Sequence, residues 1–166
     1  MKALVTYFSK TGNTEKVAQA IYDGIAFVEK EILPIKFVKD MKGYDLFFVG
    51  FPVQGHSIPA MVEKFVRKIP DGKKVAFFGT HGSLRGGVFA ITAFYYAISL
   101  APKKKVLGTF GCRGRVKAVT IEKLLKSPQD KYWAMEAQSA SQHPDQQDLE
   151  DAIRWARWMV MKAGAE

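Results

Sequence analysis

The sequence predicts a doubly wound α/β fold built around a five-stranded parallel sheet. Five short apolar runs alternate with segments of helical periodicity, the pattern left by repeated strand–helix–strand units. The run at 44–50 is apolar almost throughout, as a parallel strand buried on both faces must be. The first, third and fourth runs lead into loops rich in Gly, Ser, Thr, Asn or His. In such sheets ligands bind at the carboxyl ends of the strands, where the strand order reverses. The three loops are therefore expected to open on one edge.

Each element has its own signal. Residues 3–8 form the first strand, and Val17, Ile21 and Ile25 then recur at helical spacing with Thr14 and Ala18 beside them. Residues 31–38 form a second strand that Pro34 confines to an edge. After the third strand, 44–50, Ser57 is the expected N-cap of a helix with the stripe Ile58, Val62, Phe65, Val66 and Ile69, closed by Pro70. Residues 74–79 form the fourth strand. Residues 88–100 are apolar nearly all round and are expected to be a helix buried against the sheet. The fifth strand is 105–111.

An irregular insertion is expected at about 114–144, with short helices at 121–126 and 131–138 and breaks at Ser127-Pro128 and His143-Pro144. The last helix buries Leu149, Ala152, Ile153, Ala156, Met159 and Val160. Asp145, Asp148, Glu150 and Asp151 near its start, and Arg157 and Lys162 near its end, complement the helix dipole. No repeat or linker divides the chain, so 1–166 is expected to be a single domain.

Composition narrows the class. The chain is 48% apolar and 25% charged, as for a globular protein with a sizeable core. It contains no run suited to crossing a membrane and no signal-peptide pattern ahead of the first strand. Its one cysteine, Cys112, excludes an internal disulfide and a Cys-cluster metal site. A cytoplasmic protein with no membrane association is expected. The formal net charge is +9, and nine cations lie between Gly72 and Ile121 with no Asp or Glu among them. They are Lys73, Lys74, Arg85, Lys103, Lys104, Lys105, Arg113, Arg115 and Lys117. Such a block either solvates a surface or attracts an acidic partner. Nucleic acid is disfavoured because no reading motif accompanies the charge.

The stretch Ser9-Lys10-Thr11-Gly12-Asn13-Thr14, between a strand and a helix, suits a phosphate. A helix start offers unpaired N–H groups and the positive end of its dipole. Gly12 lets the backbone approach a ligand, Ser9, Thr11 and Thr14 add hydroxyls, and Asn13 adds an amide. The same residues also make ordinary capped turns. A Walker-type site is excluded because Lys10-Thr11-Gly12 has the wrong order, and a phospho-receiver because Phe8 and Gly50 stand where acidic residues are needed.

Over nearly its whole length the chain resembles the flavodoxin-like family. The likeness is carried by Tyr7-Phe8-Ser9-Lys10-Thr11-Gly12-Asn13-Thr14-Glu15, by Gly50-Phe51-Pro52-Val53-Gln54-Gly55-His56-Ser57-Ile58-Pro59, and by Gly79-Thr80-His81-Gly82-Ser83. The resemblance implies strand order 2-1-3-4-5 in a three-layer fold and FMN as cofactor. By similarity, Ser9, Lys10, Thr11, Gly12, Asn13 and Thr14 would hold the phosphate. Pro52, Val53, Gln54, Gly55, His56, Thr80, His81 and Gly82 would flank the isoalloxazine ring, with Gly55 as the peptide able to flip beside it. No catalytic or metal-ligating residue is expected.

The implied function is electron transfer to an acidic redox partner. The alternative is an FMN-dependent oxidoreductase that reduces a small molecule such as a quinone, a flavin or a conjugated pigment. That alternative draws on a departure from the family pattern: residues 80–87 contain no aromatic to stack on the ring. His81 is the expected substitute, with Phe51 or His56 on the other face. On this fold Arg85, Arg113, Arg115 and Lys117 are expected on the flavin edge, and Lys73, Lys74 and Lys103 to Lys105 on the opposite one. Cys112 reads as a small residue at a strand end, since no base accompanies it. Trp155 and Trp158 read as helix packing or surface cover. Trp133, in the insertion, is a candidate cover for a cofactor or partner groove.

Overall fold

The computed structural model describes residues 1–165. Five parallel strands, β1 (Lys2–Tyr7), β2 (Glu29–Pro34), β3 (Leu46–Pro52), β4 (Lys74–His81) and β5 (Lys105–Arg113), pair in the order β2-β1-β3-β4-β5. The strand order reverses between β1 and β3. Tyr7 lies next to Gly50, and Pro52 next to Thr80, so the first three strands of the central group end at one level.

Alternation along these strands builds two apolar layers. Ala3, Val5, Leu46, Phe48, Ala76 and Phe78 face helices α1 (Asn13–Gly24) and α6 (Gln146–Ala165). Leu4, Phe47, Val49, Phe51, Val75 and Phe77 face α2 (Ala60–Lys68) and α3 (Val88–Ser99). Five phenylalanines of β3 and β4 are fully buried, and each carries the transfer free energy of a large apolar side chain.

Several boundaries differ from the sequence reading, each for a local reason. Pro34 ends β2 early, and a single 3₁₀ turn follows it. Ser57 does not cap α2. Its N–H and C=O instead pair with those of Gln54 in a tight turn at Gly55, and α2 begins after Pro59 without a side-chain cap. β4 and β5 each run two residues further than expected, so His81, Cys112 and Arg113 are sheet residues. α3 buries Ala90, Ala93 and Ala97 but leaves Val88, Ile91 and Tyr95 exposed. The helix packs against the sheet as expected, through its alanines, and its outer face is apolar but exposed.

Between β5 and α6 the chain forms a helix pair, α4 (Ala118–Leu125) and α5 (Lys131–Gln138). Ile121, Ala134 and Ala137, with Val116, Leu124, Leu125 and Trp133, give the pair a small core of its own. Among the described residues, no helix is long and apolar enough to cross a membrane.

Candidate functional site

The loop between β1 and α1 turns on Gly12, which has φ +89, a conformation that costs a side-chain-bearing residue about 1–2 kcal/mol. Its N–H donates to Ser9 Oγ (3.1 Å), which fixes the turn, and Gly12 in turn accepts from the Lys16 N–H. No side chain caps α1. Among the described residues, the peptide N–H groups of Thr11, Asn13, Thr14 and Glu15 find no acceptor. A helix start with free donors and no cap is prepared for an anion.

The cavity in front of these donors has a volume of about 280 Å³. It is walled by Lys10, Thr11, Asn13 and Thr14, by Pro52, Val53 and Gln54, and by Thr80, His81 and Gly82. Three loops from three strand ends thus converge as the fold requires. Thr14 Oγ1 and Thr80 Oγ1 lie 2.8 Å apart and are buried. Whichever hydroxyl donates, the other keeps its proton for a ligand.

Ser9 and Gly12 lie behind this wall and shape the loop rather than line it. His56 is exposed at the turn tip, its ring 4.4 Å from that of Phe89. Phe51 is fully buried against Phe94 and cannot cover a ligand, which corrects that expectation. His81 is buried as well. Its Nδ1 lies 3.0 Å from the Ser83 carbonyl, and its ring is not presented as a stacking face. Burial pushes its pKa down and the neighbouring Arg113 adds to this, so the imidazole is neutral at pH 7.

A second cavity of about 270 Å³ adjoins the first and shares Val53, His81 and Gly82 with it. Its remaining wall is Gly55, Ser83, Phe89, Leu124, Asp130 and Trp133. Arg115 and Lys117, expected at this edge, complete the first cavity, and Trp133, expected over a groove, lines the second. Sequence reasoning missed Gly114, Val116 and Thr120 in the first and Phe89 and Leu124 in the second. One signal was available for the former group: the segment after β5 leaves the same sheet edge as the other loops. Asn13 Nδ2 donates to the Arg115 carbonyl (2.9 Å) and ties that segment to the start of α1.

The expected basic edge also changes. Arg113 is buried, donating to the carbonyls of Gly82, Ser83 and Glu136 and to Ser139 Oγ. Arg85 is paired with Asp148 and Asp151. Burial pushes the Asp148 carboxyl up, but His143, the Asp145 N–H and Arg85 outweigh that and hold it below the usual range. Of the four arginines and lysines expected at this edge, Arg115 and Lys117 line the cavity, and Lys10 joins them. Cys112 is fully buried, and burial pushes its thiol far up, so it carries no nucleophile.

A family model described as a flavodoxin domain matches residues 4–157, and the chain belongs to that family. It is 33% identical over 175 residues to the flavodoxin-like domain-containing protein BilS of Clostridioides difficile, covering 98% of each chain. An archaeal flavodoxin superposes with a TM-score of 0.66 at 21% identity, covering 99% of both chains. The Fusobacterium nucleatum flavodoxin bound to flavin mononucleotide superposes with a TM-score of 0.55 at 15% identity, over 83% of this chain and 97% of that one.

Proposed function

We propose that this protein binds FMN and transfers electrons to a redox partner. The observation that carries the reading is the uncapped start of α1, whose free N–H groups face a cavity walled by the other two loops. The residues present fit the group. A phosphate would meet the N–H groups of Thr11, Asn13 and Thr14, with the hydroxyls of Thr14 and Thr80 close behind. Pro52, Val53 and Gly82 would line the path away from it. Bound FMN would supply the electron-transfer chemistry.

The chain's own residues bind, orient and exclude water. Gly55, at φ +60 in an open turn, presents a peptide with freedom to reorient beside the ligand. His81 is engaged through Nδ1 with the Ser83 carbonyl, and burial keeps the Cys112 thiol protonated. Lys10, Arg115 and Lys117 stand at the cavity without a carboxylate partner among the described residues, and they favour an acidic redox protein.

Titration with FMN followed by anaerobic reduction tests the reading. Stoichiometric binding and rapid reoxidation by an acidic redox protein are expected. Sustained NAD(P)H turnover with a small quinone or flavin, and no partner protein, would instead identify a self-sufficient reductase.

A further inference from the structure

The third loop, residues 80–87, brings no aromatic side chain to the site. The second cavity shows where one is supplied. Trp133 of α5 is half-buried and lines that cavity opposite Val53 and Gly55 of the second loop, beside Gly82 and Ser83 of the third. Phe89 meets Trp133 edge-to-face at 6.0 Å and meets His56 at 4.4 Å. An aromatic row therefore runs from the second loop across α3 to the helix pair.

The two cavities differ in chemistry. The first has Thr11, Asn13 and Thr14 at the start of α1 and Lys117 and Thr120 at the start of α4; the second has Phe89, Leu124 and Trp133 on its wall, beside His81, Ser83 and Asp130. They share three residues, and together they fall within the roughly 300–1,000 Å³ typical of small-molecule sites. A ligand with a phosphate at one end and a flat apolar ring at the other matches this division. We propose that Trp133 is the ring-contact residue of the flavin site, so that the helix pair α4–α5 completes a binding wall the third loop leaves open. The inference rests on the FMN reading above.

The position of Trp133 is built, not incidental. The Arg113 guanidinium joins the Gly82 and Ser83 carbonyls to the Glu136 carbonyl and Ser139 Oγ, at 2.8 to 3.2 Å. The Glu136 carboxylate also accepts from the Leu84 N–H. The third loop and α5 are thus clamped along one line. A Cβ at residue 82 would come within 2.6 Å of Val116 and 3.7 Å of the Trp133 ring, so only glycine lets the loop lie this close. A tryptophan that merely filled the α4–α5 core would need no such clamp to the third loop.

The test compares wild type, W133F, W133L and G12A for binding of FMN and of riboflavin, with bound-flavin fluorescence as a second readout. Contact with an indole quenches flavin emission. W133L should weaken FMN and riboflavin about equally, by roughly tenfold, or ~1.4 kcal/mol, and should raise the emission of the bound flavin. W133F should keep most of the affinity. G12A should weaken FMN more than riboflavin, because it acts at the phosphate. Unchanged affinity and unchanged quenching in W133L would overturn the proposal and make the second cavity an acceptor site. Failure of the wild type to bind FMN would instead defeat the functional reading itself. W133L keeps an apolar group against Ile121 and Ala134, and W133F keeps an aromatic one, so a folded variant is available for the comparison.

Discussion

Single residues decide whether the site exists. Gly12 holds φ +89 where nothing lies within 4 Å, so its role is conformational and not spatial. Gly12→Ala should place about 1–2 kcal/mol of strain on the loop. In an FMN titration this should read as an affinity loss of about 5- to 30-fold. Arg113 is buried without a carboxylate, its charge met by carbonyls and one hydroxyl. Arg113→Leu leaves those acceptors unpaired and should cost about 2–3 kcal/mol in urea unfolding. His81 gives a pH signature. Its folded pKa lies below the ordinary value of 6.5, so the unfolded chain binds the proton more readily. The stability this confers is complete above pH 6.5 and is lost as pH falls below it. Unfolding midpoints measured from pH 7.5 to 5 should decline in wild type, and less steeply in His81→Asn.

The β1–α1 loop was legible as an uncapped helix start rich in hydroxyl and amide donors, because backbone and small polar side chains are what composition reveals. The roles of Phe51 and Arg113 were not legible. Whether a strand's last side chain faces the ligand or the core depends on where the strand stops. β3, β4 and β5 each stop two residues later than their apolar runs suggest, which makes Phe51 and Arg113 strand residues.

Among the elements, the five strands and the helices α1, α2 and α6 follow from periodicity, since each buries one stripe against a continuous sheet. α3 was legible as a helix against the sheet, but nearly every residue is apolar, so period alone could not say which face is inward; the alanines Ala90, Ala93 and Ala97 mark it. The helix pair α4–α5 was visible as two short helices, but its place over the site was not. That place depends on long-range ties: Arg113 holds α5 through the Glu136 carbonyl and Ser139 Oγ, and Arg85 holds the third loop to Asp148 of α6. Asp148 is the hub of the second tie, accepting from His143, from the Asp145 N–H and from Arg85 while buried. Asp148→Ala should destabilise the fold by about 2 kcal/mol, a fall in Tm of ~4–8 °C by calorimetry.

Across the whole molecule, the charge surplus is divided by the fold. Lys73, Lys74, Lys103, Lys104 and Lys105 begin β4 and β5, and several pair with Asp45 or Asp71 at the edge away from the site. Lys10, Arg115 and Lys117 remain at the cavity. A basic block in sequence is therefore two surfaces in space, and on the proposed function the one at the cavity would meet the partner. The double variant R115E/K117E should slow electron transfer to an acidic acceptor at low ionic strength. The difference should close at high salt, as screening shortens the reach of these charges. Stopped-flow rates across a salt series check this.

The central claim is that three loop ends and the uncapped helix α1 hold one FMN. The most direct test is the visible absorption spectrum of the purified protein after incubation with excess FMN and desalting. The account predicts flavin bands retained at one FMN per chain, shifted from those of free FMN and bleached by anaerobic reduction. Complete loss of flavin to the desalting column at every concentration tried would contradict it.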